Sequence, residues 1–280
     1  MLSKSTQISA VALCVLSTSV GADRMCNIAR FPGCSAPFPP GHKNMGDAWW
    51  GIGSKESGAI IKSVTTMLLV NEVPRISKGV MVINSALENS DRDDESDRVP
   101  MLETYQTLTV SYPPGWNACD QTDDQWCLFP SLYNRHSDPQ QYSASARALN
   151  PMTAARLSWN YNGANRIELD AVGTGISNLT QEAPWQWWPK TECQCGARGV
   201  IPAHSYVQTE ITLMKPVANW GSTVDFQKAN ASIPTSDDGG LTWKIDSIDI
   251  EDSNCESDTK CPSLTKRTLS GKRLNKPDWI

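Results

Sequence analysis

Two carboxylates stand two residues apart in Arg166-Ile167-Glu168-Leu169-Asp170-Ala171, where alternation puts Ile167, Leu169 and Ala171 on one strand face and the three charges on the other. Such a face is either a solvated polar surface or part of an acid–base site, and Glu210 is a further carboxylate that a neighbouring strand could contribute. Tryptophans cluster as Trp49-Trp50 and as Trp185-Gln186-Trp187-Trp188, the latter between Pro184 and Pro189. An indole has a flat apolar face and a polar N–H edge, which suits stacking on sugar rings; the competing use of the same rings is core packing. Neighbours in an extended segment point to opposite faces, so some of these rings are expected to be exposed. The chain lacks a G-x-S-x-G elbow, an H-E-x-x-H helix and a phosphate-cradling glycine loop. Its three histidines, His42, His136 and His204, are scattered. Nothing in these patterns calls for a cofactor or a resident metal.

The elements that must position these residues are strands. Alternating or apolar runs fall at 59–70, 79–83, 102–112, 125–133, 154–161, 166–172, 206–214, 223–226 and 241–250, and no segment carries a long stripe of helical period. Asn162-Gly163 lies between two of the runs and predicts a hairpin. Ser236-Asp237-Asp238-Gly239-Gly240-Leu241-Thr242-Trp243 fits the Asp-box pattern, a β-turn in which the Asp accepts backbone hydrogen bonds and the Trp packs underneath. It occurs once, whereas a propeller needs blade repeats, so it is read as a structural turn. Many strands without intervening helices predict an all-β fold, an antiparallel β-sandwich or jelly roll.

Residues 1–22 have the form of a secretory leader, with Lys4 ahead of the apolar stretch Ile8 to Leu16 and the small residues Val20-Gly21-Ala22 at its end. A pro-rich arm at 23–48, a sandwich at 49–254 and a basic tail at 255–280 follow. With Cys14 in the leader, Cys26, Cys34, Cys119, Cys127, Cys193, Cys195, Cys255 and Cys261 remain to form disulfides in an oxidising compartment. Close spacing favours Cys26 with Cys34, Cys119 with Cys127 and Cys255 with Cys261, while Cys193 and Cys195 are too near each other to bond without strain and are expected to break this local scheme. Asn178-Leu179-Thr180 and Asn230-Ala231-Ser232 are glycosylation acceptors, expected on exposed loops. The acidic stretch Asp91 to Asp97 reads as a solvated loop, and Lys266-Arg267 and Lys272-Arg273 as solvated charge or as processing sites. Net charge −5 argues against a nucleic-acid surface, and no apolar run is long enough to insert in a membrane as a helix.

Three stretches resemble secreted concanavalin A-like proteins of fungi and, more distantly, the glutamic peptidases (eqolisins). They are Trp49-Trp50-Gly51-Ile52-Gly53 with Gly58 to Val64, Trp126 to Tyr133, and Thr191-Glu192-Cys193-Gln194-Cys195 with His204 to Glu210. Glu168-Leu169-Asp170-Ala171-Val172 likewise resembles the start of the catalytic strand of laminarinase-type glucanases, with Gly173 where that family has its second Glu. The glutamic-peptidase resemblance implies a Glu acting as general base on water beside a Gln that stabilises the oxyanion; Lys62 aligns with the Gln and Glu192 with the Glu, a pair that could equally form a salt bridge. Together these resemblances imply a secreted protein that binds polysaccharide or another glycan at a concave face bordered by Trp49, Trp50, Trp185, Trp187 and Trp188. A hydrolase or lyase using Glu168, Asp170, Glu210 or Glu192, and a surface protein without catalysis, are the alternatives.

Overall fold

The computed structural model describes residues 45–89, 103–112, 114, 119–134, 142–143, 146–163, 166–173, 176–180, 183–194 and 196–256. In chain order these form β1 (Met45–Gly51), β2 (Ile61–Val70), β3 (Val80–Glu88), β4 (Glu103–Ser111), β5 (Trp126–Asn134), β6 (Tyr142–Ser143), β7 (Arg147–Leu149), β8 (Thr153–Tyr161) and β9 (Arg166–Ala171). They continue as β10 (Ile176–Thr180), β11 (Gln186–Gln194), β12 (Arg198–Ile201), β13 (His204–Leu213), β14 (Asp225–Gln227), β15 (Ala229–Ala231), β16 (Thr242–Ile250) and β17 (Ser253–Glu256). Helical structure among the described residues is confined to single 3₁₀ turns at Lys55–Ser57 and Trp220–Ser222.

The described strands pair antiparallel in two main sheets, as the sequence predicted. An eight-stranded sheet has the order β14-β1-β11-β3-β4-β5-β6, with β7 also on β5, and a seven-stranded sheet has the order β10-β9-β8-β2-β13-β16-β15. Alternation decides which side chains turn inward. Ala155, Leu157, Trp159 and Tyr161 of β8 and Ile167, Leu169 and Ala171 of β9 enter the core, while Ala154, Arg156, Asn160 and Glu168 are exposed. At the middle of that core Trp187 packs edge-on against Trp50 at 5.9 Å, Tyr206 at 5.8 Å and Trp159 at 6.4 Å, which ties the two sheets together. Along one side, the chain passes from β14 in one sheet to β15 in the other across Lys228 alone, at φ 49°, and the Lys228 ammonium pairs with Asp47.

The Asn-Gly hairpin forms as expected, with Tyr161 opposite Ile167 and Gly163 at φ 77°. At the Asp-box turn, Asp238 accepts from Ser236 Oγ and from the backbone N–H groups of Leu241 and Thr242 at 2.8–3.0 Å, and Trp243 lies buried beneath, its indole N–H donating to Gly240 O. The Thr242 N–H bond chief among these holds the Asp238 carboxyl down to a pKa of about 2.

Several expectations need correction. Cys119–Cys127 forms, but Cys255 bonds Cys193 and not Cys261. The reason is tertiary: β12 pairs with β17 and brings Cys255, opposite Gly199, to the end of β11, with the two Cα atoms 5.6 Å apart. Strand β1 begins at Met45, inside the expected irregular arm, and Cys255 and Glu256 belong to β17 and not to the tail. Both glycosylation acceptors lie on strands and not on loops, Asn178 on β10 and Asn230 on β15, at opposite edges of the seven-stranded sheet. The leader, Cys26, Cys34, Cys195, Cys261, the acidic stretch 91–97 and the dibasic pairs lie outside the described residues.

Candidate functional site

The site is built by β11 and the two strands on either side of it, β1 and β3. The tryptophan cluster between Pro184 and Pro189 belongs, from Gln186 onward, to an interior strand of the sheet. Trp187 and Ile52 exchange both backbone hydrogen bonds at 3.0 Å, so the nitrogen two residues along, that of Pro189, also faces β1. Proline brings no N–H, so β11 forgoes that one ladder bond to β1, and the register slip of β1 between Met45 and Trp49 falls further along, between Lys190 and Glu192.

Alternation along β11 then sorts its side chains. Trp187, Pro189, Thr191 and Cys193 point into the sandwich, and Gln186, Trp188, Lys190 and Glu192 point to the outer face of the eight-stranded sheet. On that face Lys190 Nζ lies 2.9 Å from Glu88 Oε1 and 3.8 Å from Glu192 Oε1, and sits 4.2 Å from the centre of the Trp188 ring. Asn84 donates to Glu192 Oε1 at 2.6 Å and Gln186 to Glu88 Oε2 at 3.3 Å. Trp49, opposite Lys190 on β1, meets Trp188 edge-on at 5.8 Å.

Most of this cluster is out of water. The side chains of Lys190 and Glu88 are 10% and 3% exposed, and Asn84, Gln186 and Trp188 are buried; Glu192 and Trp49 are the half-buried members. Burial pushes the Lys190 ammonium toward its neutral form, but the carboxylates of Glu88 and Glu192 outweigh it and raise its pKa above the ordinary 10.5. Beside the cluster, Val80, Val82, Leu108, Val110, Tyr112, Cys127 and Phe129 form a second small apolar cluster, so β3 is covered on both faces.

The other predicted residues are elsewhere. Glu168 and Asp170 on β9 and Glu210 on β13 occupy the outer face of the seven-stranded sheet, on the opposite side of the sandwich from Lys190. The register puts Asp170, Ser158, Thr65 and Glu210 in one row. Three strand spacings separate the two carboxylates, roughly 14 Å, beyond the ~5–10 Å of an acid–base pair. Asp170 accepts the Gly173 N–H at 2.8 Å and so shapes the turn after β9. Lys62 is exposed on β2 in that same sheet, so it forms no pair with Glu192, whose cation is Lys190. Trp50 and Trp187 are fully buried in the core and line no surface, and Trp185 is half-buried in the turn before β11. Of the expected residues, therefore, Glu192, Trp49 and Trp188 come together; Glu88, Lys190, Asn84 and Gln186 were missed. The polar–apolar alternation of Gln186 to Glu192 was the available signal, hidden by Trp188 and Pro189.

No protein-family model matches the sequence, and no curated protein matches it. The arrangement of strands is similar to that of glutamic peptidases. Scytalido-glutamic peptidase, solved with a transition-state analogue inhibitor, is 10% identical with a TM-score of 0.41, covering 75% of this chain and 98% of its own. The alginate lyase from Alteromonas sp.272 is 10% identical with a TM-score of 0.35, over 55% of this chain and 64% of the lyase. A beta-porphyranase from the human gut bacterium Bacteroides plebeius is 9% identical with a TM-score of 0.26, over 71% and 65%. Likeness at this level gives no residue a role.

Proposed function

We propose that the protein is a secreted, disulfide-bonded, glycan-binding β-sandwich whose contact surface is the outer face of the eight-stranded sheet around Trp49, Trp188 and Glu192. The observation that supports this reading is the buried ion cluster of Glu88, Lys190 and Glu192. Ionised groups taken out of water destabilise a fold unless their pairing is nearly complete, and well-packed apolar side chains at the same positions are often the more stable choice. A sheet face that keeps three charges next to an apolar cluster is carrying a cost that a binding or reactive site accounts for. The half-buried Trp49 would supply an indole and Glu192 an acceptor for sugar hydroxyls, the carboxylate being held in place by Asn84 and Lys190.

Affinity electrophoresis against a polysaccharide panel tests this. Trp49→Ala is expected to weaken binding about tenfold, or ~1.4 kcal/mol, with an unchanged urea midpoint. Retention of full affinity by that variant removes Trp49 from the site, and absence of any glycan binding by the parent protein removes the reading.

A second reading, hydrolysis or lysis at the same face, is favoured by one specific arrangement. Glu192 is the more accessible carboxylate of the cluster, is oriented by the Asn84 amide, and has beside it an ammonium whose raised pKa keeps it charged at neutral pH. Glu192 would act as the general base and Lys190 would stabilise developing negative charge. Cleavage of a polysaccharide or peptide panel that is abolished by Glu192→Gln supports it; cleavage unchanged by that substitution ends it.

A further inference from the structure

We infer that the glycan taken at this face is an uncharged polysaccharide and not a uronate- or sulfate-bearing one; the inference rests on the glycan reading above and specifies its substrate class. An anionic sugar needs a cation with donors left to give, as in the charge-assisted pairs that Lys and Arg make with carboxylate or sulfate. Among the described residues, Lys190 is the one cation on the outer face of β1, β3 and β11, and three sides of its ammonium are already occupied. Glu88 holds it at 2.9 Å, Glu192 at 3.8 Å and the Trp188 ring at 4.2 Å. Lys228, which follows β14 at the edge of the same sheet, is paired with Asp47.

The order of exposure matters as much as the count. Glu192 has 17% of its side chain exposed against 10% for Lys190, so a ligand arriving from solvent meets the carboxylate before the ammonium. Glu88, Lys190 and Glu192 together carry one net negative charge when ionised, which repels a uronate. Sugar hydroxyls meet no such barrier, because they donate to a carboxylate and accept from an amide, and the Trp49 ring contributes apolar contact that is indifferent to charge.

The test is native affinity electrophoresis of the full secreted protein in gels containing neutral polymers (laminarin, lichenan, galactomannan) or anionic ones (alginate, polygalacturonate, carrageenan), at about 20 and about 300 mM salt, which brackets weak and strong screening. Retardation is expected with at least one neutral polymer, equal at both salt concentrations, and with none of the anionic ones. Glu192→Gln removes the outward carboxylate and leaves Lys190 with Glu88 and the Trp188 ring, the cluster then carrying no net charge when ionised; this variant is expected to gain retardation by the anionic polymers at low salt, at least fivefold above the parent, and to lose it at high salt. Stronger retardation of the parent by an anionic polymer, or no anionic gain in Glu192→Gln, overturns the charge inference while leaving glycan binding in place. Retardation by neither class overturns the glycan reading and this inference with it.

Discussion

Lys190→Met is the most informative single perturbation of the fold, because it removes the cation and keeps nearly the same side-chain length. Glu88 would then be left 3% exposed and without its 2.9 Å partner, with Glu192 nearby as a like charge. Removing one member of a buried pair costs about 3–5 kcal/mol, most of it from the stranded charge and not from the lost attraction. That is a large share of the ~5–15 kcal/mol by which domains are stable, and in a domain of this size it lowers Tm by roughly 6–20 °C. Replacing both partners, as in Glu88→Gln with Lys190→Met, should recover all but ~1–2 kcal/mol. The Lys190 pKa is raised by folding, so its stabilisation is complete below the ordinary 10.5 and is lost as pH climbs through the higher folded value, a loss that Lys190→Met should not show. Urea unfolding followed by tryptophan fluorescence at pH 7 and at several points across about pH 10–12, above the ordinary lysine value, measures these effects. A cost below about 1 kcal/mol at pH 7, or a double variant no more stable than the single one, would refute the argument that these charges are effectively buried.

Three further outcomes follow from the packing. His204 is buried with its pKa held down to about 4 by loss of solvation, so the unfolded chain protonates first as pH falls from 6.5; stability should drop by roughly 3 kcal/mol between those values, and His204→Phe should flatten that part of the pH profile in thermal melts. Cys255→Ser opens a crosslink spanning 62 residues and should cost about 4 kcal/mol by loop-closure entropy, read from the urea midpoint, while Cys119→Ser, which opens a span of 8, should cost less. Gly221→Ala places a methyl 2.2 Å from the Trp243 ring and should destabilise by ~1–3 kcal/mol, with a change in the near-ultraviolet circular dichroism of that indole; an unaltered spectrum and midpoint would mean that Trp243 can move aside.

How much of this was legible depended on whether a strand had one wet face. β8 and β9 alternate cleanly because Arg156, Asn160 and Glu168 face water while Leu157, Trp159 and Leu169 face the core. β3 does not alternate. Its outer face is covered by the second apolar cluster and by the ion cluster, so Val80 to Glu88 reads as a continuous apolar run that fades at Asn84-Ser85, and the sequence-based strand ended at Ile83. Glu88 therefore went unnoticed at the end of a strand that had seemed already finished. β11 was hidden by Pro189, because a proline within a run argues against an interior strand, while the long-range pairing with β1 and β3 that holds the strand in place is recorded in no local pattern. The Lys62–Glu192 pairing failed because sequence does not say which sheet a strand joins, and β2 and β11 join different ones.

The two outer faces of the sandwich carry charges of different kinds, and that contrast is the ground for proposing one of them as the site. Glu168, Glu210 and Lys244 stand in water on the seven-stranded sheet, where an ion pair contributes ~0–1 kcal/mol and any polar residue serves nearly as well. The two glutamates have the residue type and strand placement of catalytic groups, yet their environment asks nothing of them. Glu88 and Lys190 are held on the other face under burial that an apolar pair would tolerate with less difficulty, and the attraction of Glu88 and Glu192 outweighs the burial of the Lys190 ammonium. Chemistry needs charged groups whose solvation has been replaced by fixed partners, because only those are strong and oriented when a ligand arrives. By that criterion the Glu88–Lys190–Glu192 cluster, and not the strand with the more familiar carboxylate spacing, is where a ligand of this protein should be sought.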